Sequence, residues 1–193
     1  MRPSLRFSDS QPKDDASLDE LLREAAAGDD QAWRRLIGLY SRRVYALVRS
    51  RVGDPDLAEE LTQSVFATVS TKLADQYTEQ GRFESWLFRI AMNRVRDEAR
   101  RAKRQATAVD PVVFDARAGQ PATGRDEDLT ARLGAAMGEL SDADREIIEL
   151  RHHGQMSFKQ MAELLDEPTG TLLARHHRAL RKLRSSMEDR VES

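Results

Sequence analysis

Apolar residues in this chain recur at intervals of three and four and nowhere in sustained alternation. The first spacing lines one face of an α-helix, whereas alternation would line a strand, so the pattern confines the chain to an all-α fold. Leu18, Leu21, Leu22 and Ala25 form a short stripe. Trp33, Leu36, Ile37, Tyr40, Val44, Leu47 and Val48 form a long one, and Leu57, Leu61, Val65, Val69 and Leu73 a third. Helix punctuation falls between them. Ser17 with Glu20 reads as a capping box opening the first helix, and Gly28 ends it. The second helix runs from about Asp30 to Gly53, and Asp54 with Pro55 starts the third. A fourth is predicted from about Phe83 to Arg104.

Periodicity lapses over residues 105–125, which carry two Pro, two Gly and several Ala and read as a flexible linker. Two small helical domains are therefore expected, over 17–104 and 126–190, with a disordered tail over 1–16. In the second, Leu129, Leu133, Met137 and Leu140 predict one helix. Ser141 with Asp144 caps the next, which holds Ile147, Ile148 and Leu150 and stops at Gly154. A tight helical pair follows. Ser157 and Gln160 make another capping box for a helix with Phe158, Met161, Ala162 and Leu165; Asp166 and Glu167 turn; Pro168 starts the last helix.

Composition removes whole classes of chemistry. Without Cys there is no disulfide framework, thiolate zinc site, iron-sulfur cluster or thiol nucleophile. The four His form two adjacent pairs, His152 with His153 and His176 with His177. Neighbours on a helix point about 100° apart, so neither pair chelates a metal alone. No glycine-rich phosphate loop is present, and the carboxylates fall in helix caps and charged faces; no catalysis, cofactor or metal is expected. No apolar run approaches the roughly 18 residues of a membrane span, and the first residues lack the apolar core of a signal peptide. A cytoplasmic location without membrane insertion follows as an expectation.

Net charge is -2, which taken alone argues against a nucleic-acid partner. Its distribution argues otherwise. Arg82–Arg104 holds eight basic against three acidic residues, and Pro168–Arg184 five basic and none acidic, while residues 126–150 carry -6. A short helix, a turn and a second helix bearing Arg175, Arg178, Arg181, Lys182 and Arg184 form a helix-turn-helix pattern, whose second helix lies in the major groove of duplex DNA. Leu172, Ala179, Leu183 and Met187 would face the core. An ordinary helical hairpin with a solvated basic face fits the same residues. In the first domain Phe83, Trp86 and Phe88 interleave with Arg82, Arg89, Arg94 and Arg96. Rings beside arginines suit unstacked bases and their backbone, and the same aromatics also fit a buried stripe. The acidic segment should face solvent or a protein partner.

The runs Leu57–Phe66 (LAEELTQSVF), Phe83–Asn93 (FESWLFRIAMN), Leu140–Leu150 (LSDADREIIEL), Met156–Ala162 (MSFKQMA) and Gly170–Arg184 together resemble the extracytoplasmic function (ECF) group of bacterial sigma factors. The resemblance covers about residues 17–104 and 126–187, in order. It implies a first domain similar to sigma region 2 and a second similar to region 4, in a promoter-specificity subunit that does no catalysis itself. It further implies that Leu57, Glu60, Gln63 and Phe66 contact core RNA polymerase, on the beta-prime subunit, with beta also a partner. Arg82, Phe83, Trp86, Arg89, Asn93 and Arg94 would serve the promoter -10 element, residues 76–83 forming a loop that captures a flipped base. Thr169, Thr171, Leu173, Ala174, Arg175, His177 and Arg178 would serve the -35 element. An anti-sigma factor is an implied partner, and the free chain is expected to be a monomer.

Three positions depart from the family pattern. Leu173 and Ala174 stand where many relatives carry Lys and Ser, and they offer a thymine methyl at most an apolar contact. His176 stands where an apolar core residue is usual, and reads as a satisfied His at a domain edge. The residues also admit a stand-alone helix-turn-helix repressor or activator that dimerises through its N-terminal half, and a helical adaptor that never touches DNA.

Overall fold

The computed structural model describes residues 15–77, 81–108 and 125–189. Among them are eight helices and no strand: α1 (Asp15–Ala26), α2 (Asp30–Val52), α3 (Pro55–Gln76), α4 (Phe83–Ala108), α5 (Arg125–Gly138), α6 (Asp142–His152), α7 (Phe158–Leu165) and α8 (Thr169–Asp189). Local chemistry sets most of these bounds. Asp29 caps α2 by accepting from the Ala32 N–H at 2.6 Å, and Gly53 closes it in the left-handed region at φ 74°. The Asp54 carboxylate accepts from Leu57 N–H at 2.8 Å, with Pro55 in the first turn of α3, where its missing N–H is no loss. Ser141 caps α6. Ser157 and Gln160 close a complete capping box on α7, with Ser157 N–H donating to Gln160 Oε1 at 2.7 Å and Gln160 N–H to Ser157 Oγ at 3.2 Å.

Two expected bounds shift. α1 begins at Asp15, so Ser17 lies inside its first turn rather than capping it; an acidic residue is favoured at that end by the helix dipole. α4 continues to Ala108, four residues beyond Arg104, through a stretch that includes two alanines, the strongest helix formers. Asp15 and Ala16 of the expected tail and Arg125 of the expected linker are helical, in α1 and α5; residues 1–14 and 109–124 lie outside the described residues.

α1 to α4 pack around α2, whose Leu36, Val44, Leu47 and Val48 are fully buried against Ala58, Val65 and Val69 of α3 and Leu87, Phe88 and Ala91 of α4. α5, α6 and α7 each pack on α8, around Ile147, Leu150, Met156, Met161, Leu172 and Ala179. Each fully buried large side chain in these cores contributes about 1.5–3 kcal/mol by leaving water. The two sets of helices also meet: α7 lies against α4, and α6 against α2. At that junction Gly154 is required by close approach, because a Cβ there would stand 2.7 Å from the Leu150 carbonyl oxygen. The Gly154 carbonyl itself accepts from Arg43 Nε at 2.9 Å.

Candidate nucleic-acid interface

α3 turns its buried stripe inward and leaves Glu59, Glu60 and Gln63 exposed on one polar strip, with Gln63 Nε2 donating to Glu59 Oε1 at 3.2 Å. Leu57 is half-buried and packs against the core. Phe66 is only 7% exposed, inside the core. Of the four residues expected to contact polymerase, Glu60 and Gln63 are therefore presented outward, and Phe66 acts from behind by fixing α3.

α4 sorts its residues in the same way. Arg82, Arg89, Asn93, Arg94 and Arg96 are exposed. Phe83 is 1% exposed, held edge-on by Tyr40 at 5.3 Å and Tyr77 at 5.6 Å between ring centroids. The expectation that Phe83 meets a base is thus not matched in this arrangement: its ring is spent on other rings. Trp86 is half-buried at the rim of this cluster, 5.5 Å from Tyr77. Arg94 Nη2 donates to Thr68 Oγ1 at 2.8 Å and braces α4 on α3. A small cavity of about 90 Å³ opens beside the cluster, walled by Tyr77, Arg82 and Ser85 on one side and Lys159, Gln160 and Glu163 of α7 on the other.

On α8, Thr169, Thr171, Ala174, His177 and Arg178 are exposed, as is Leu173 at 42%. Arg175 is committed elsewhere. Its guanidinium forms a two-pronged pair with the Glu167 carboxylate at 2.9 and 2.7 Å, which fixes the turn and holds the Arg175 charge more firmly. Lys182 Nζ pairs with Asp144 at 2.8 Å, so two of the basic residues expected to face DNA instead tie α8 to its own domain. His176 is 8% exposed, edge-on to Phe158, with its Nε2 3.4 Å from His152 Nε2. Burial holds His176 down at about 4, with His152, His177 and Arg151 acting in the same sense. One His from each sequence pair thus comes together, and among the described residues no group of three or more His, Cys, Asp or Glu is placed to hold a metal.

Six charged residues of the junction, Arg43, Arg51, Arg96, Glu84, Glu146 and Glu149, were not among the expected site residues. Arg43 pairs with Glu84 at 2.7 and 3.1 Å, donates to the Gly154 carbonyl, and lies against the Tyr40 and Phe88 rings. Gln160 of α7 donates to Glu84 Oε2. Arg51 Nε meets Glu149 Oε2 in a buried ion pair; burial pushes the Glu149 carboxyl up to about 7, against the pull of Arg51. The acidic stretch expected to face solvent or a protein partner turns two of its carboxylates onto the chain's own first set of helices: Glu149, and Glu146, which pairs with Arg96 at 2.8 Å. The one available signal in sequence is Arg43, a charge on the edge of the Tyr40–Val44 stripe.

A basic helix beside an aromatic cluster, followed by a helix-turn-helix, defines a two-part DNA-binding protein. Comparisons with known proteins make this specific. Residues 36–105 match the model of Sigma-70 region 2, and residues 136–185 that of Sigma-70 region 4. The chain is 30% identical over 188 residues to the ECF RNA polymerase sigma factor SigK of Mycolicibacterium vanbaalenii, covering 89% of this chain and 90% of that one. It is 25% identical over 180 residues to SigW of Bacillus subtilis, covering 87% and 95%. Among solved structures, the sigma factor RpoE of Bartonella quintana, in complex with the anti-sigma factor NepR, superposes with a TM-score of 0.67 at 25% identity over 80% of this chain and 96% of that one. CnrH, in complex with the cytosolic domain of CnrY, shares the fold with a TM-score of 0.66 at 24% identity over 88% and 96%.

The chain belongs to the ECF group of the sigma-70 family. It is an RNA polymerase sigma factor, a subunit that binds core polymerase and promoter DNA, and the stand-alone repressor reading is not favoured, since both regions match in family order.

Proposed function

We propose that α3 offers Glu60 and Gln63 to core polymerase, α4 offers Arg82, Arg89, Asn93 and Arg94 with the exposed part of Trp86 to the -10 strand, and α8 offers Thr169, Thr171, Leu173, Ala174, His177 and Arg178 to the -35 duplex. The observation that carries this reading is the sorting of α4, with arginines outward along the helix while Phe83 and Phe88 are buried. Phosphate contacts from such a row fix register without reading bases, and a surface that binds only unpaired strand offsets the stacking lost on opening the duplex. Ala58, Leu61 and Val65 are buried beneath the polar strip and seat α3 on the core. The subunit performs no chemistry in this reading; polymerase does. No helix among the described residues is long and apolar enough to cross a membrane, and we place the protein in the cytoplasm, monomeric when free. By extension from RpoE with NepR, an anti-sigma factor is its regulator.

The test is reconstitution. Core polymerase with this chain should give promoter-specific transcripts that neither gives alone. Glu60→Ala with Gln63→Ala should weaken core binding at least about tenfold with helix content unchanged, and Arg178→Ala should weaken DNA binding across sequences and lower its salt dependence by about one unit of slope, as a lost phosphate contact does. Full core affinity in the α3 double variant would overturn the α3 assignment.

A further inference from the structure

In a helix-turn-helix, the first turns of the second helix are the ones that reach base edges. Over the first two turns of α8, Thr169 to His176, the one Lys or Arg is Arg175, and both prongs of its guanidinium are taken by the Glu167 carboxylate at 2.9 and 2.7 Å. The pair uses up the fork that would read a guanine and the carboxylate that would accept from a cytosine. Leu172 and His176 are buried on the core side. Those two turns therefore present Thr169, Gly170, Thr171, Leu173 and Ala174 outward. Gly170 and Ala174, four apart, share one shallow face; a Cβ on Gly170 would meet nothing within 4 Å, so nothing of the chain itself stands between that face and a groove. Leu173, exposed at its edge, is the largest apolar group among them.

The major groove carries one apolar mark that tells base pairs apart, the C5-methyl of thymine, and apolar side chains read it by contact. We infer that α8 selects its -35 duplex through that methyl: Leu173, with Ala174 beside it, packs on thymine in the major groove and so favours A·T over G·C pairs at that register. The selection rests on α8 being the -35 helix, and it says what that helix selects. Arg178, exposed one turn beyond Ala174, holds the register on a phosphate without reading sequence. Removing one methyl-sized group from water is worth about fourfold in affinity, so discrimination at each contacted thymine is of that size. An apolar contact releases no counterion, so this discrimination persists at salt concentrations that weaken the phosphate contacts.

The probe is the duplex that holoenzyme, reconstituted from core polymerase and the full chain, enriches most from a randomised pool, with each thymine of its -35 element replaced in turn by deoxyuridine. That replacement removes the methyl and keeps the pairing and the O4 acceptor. At one or more -35 positions it should weaken binding about fourfold, equally at low and high salt. Leu173→Lys, which installs the residue many relatives carry there, should abolish that penalty and shift the enriched sequence toward guanine. Leu173 is exposed, so helix content should stay the same. Deoxyuridine without effect at every position overturns the proposal, as does a penalty that Leu173→Lys leaves intact or a -35 element with no thymine on either strand. Arg178→Ala separates this proposal from the reading beneath it. If that variant still weakens binding, the deoxyuridine result judges Leu173 alone; if it has no effect, α8 is not the duplex-contacting helix and the proposal falls with that reading.

Discussion

His176 faces the core side of α8 and is met there by His152, with Phe158 edge-on and Arg151 and His177 nearby. Its folded pKa of about 4 lies below the ordinary 6.5, so between those values the unfolded chain holds the extra proton. The stability it contributes is present above about pH 6.5 and is lost as pH falls toward 4. Burial shifts His152 in the same direction. The Glu149 carboxyl, pushed up to about 7, acts in the opposite sense over the same range, so the readout is the difference between two chains. His176→Leu, which keeps the packing without the titration, should make any decline of the denaturant midpoint from pH 7.5 to 4.5 shallower than in the unsubstituted chain. An equally steep decline in the variant would assign it elsewhere. Single residues also mark where sequence was ambiguous. Phe83 spells the same whether its ring stacks on a base or on Tyr40, because alternation with arginine records the helix face but not how deep that face is buried. Arg175 is likewise indistinguishable from Arg178 until Glu167, eight residues earlier, is seen to claim it.

At the scale of the element, α7 is the most exacting. Eight residues are too few for a helix to persist on propensity alone, so its caps matter. Ser157→Ala removes the oxygen that receives the Gln160 N–H and should cost about 0.5–2 kcal/mol, read as a lower urea midpoint with an unchanged slope. A Ser157→Asp variant, which restores an acceptor, should recover most of it. Caps of this kind were legible in the sequence at α3, α6 and α7 because they depend on residues three apart. The end of α4 was less so: beyond Arg104 no stop signal precedes Pro111, and alanines carry the helix on.

For the whole molecule, the decisive contacts cross between the two halves of the sequence. Glu84 and Gln160 lie 76 residues apart, and Arg43 and Gly154 111 apart. No periodicity in the sequence reports such pairs; the segment charges disclosed two basic stretches and an acidic one, but not that Glu146 and Glu149 would turn inward onto Arg96 and Arg51. Directional polar contacts run across the junction. Arg43→Lys keeps the charge but loses the fork on Glu84 and the flat contact with Tyr40 and Phe88. It should cost about 1.5–3 kcal/mol, and calorimetry should show the two halves melting separately where the unsubstituted chain melts as one.

Gly154 then has a meaning beyond its turn. Its missing side chain lets the chain pass the Leu150 carbonyl, and its own carbonyl is the acceptor that Arg43 grips from the other domain. A single added methyl would push that carbonyl off its mark, so variation at this one position is constrained by two domains at once. Among related sequences, drift at Gly154 and at Arg43 should therefore be coupled: a chain that gives up the glycine takes from the arginine the acceptor it reaches in the other domain.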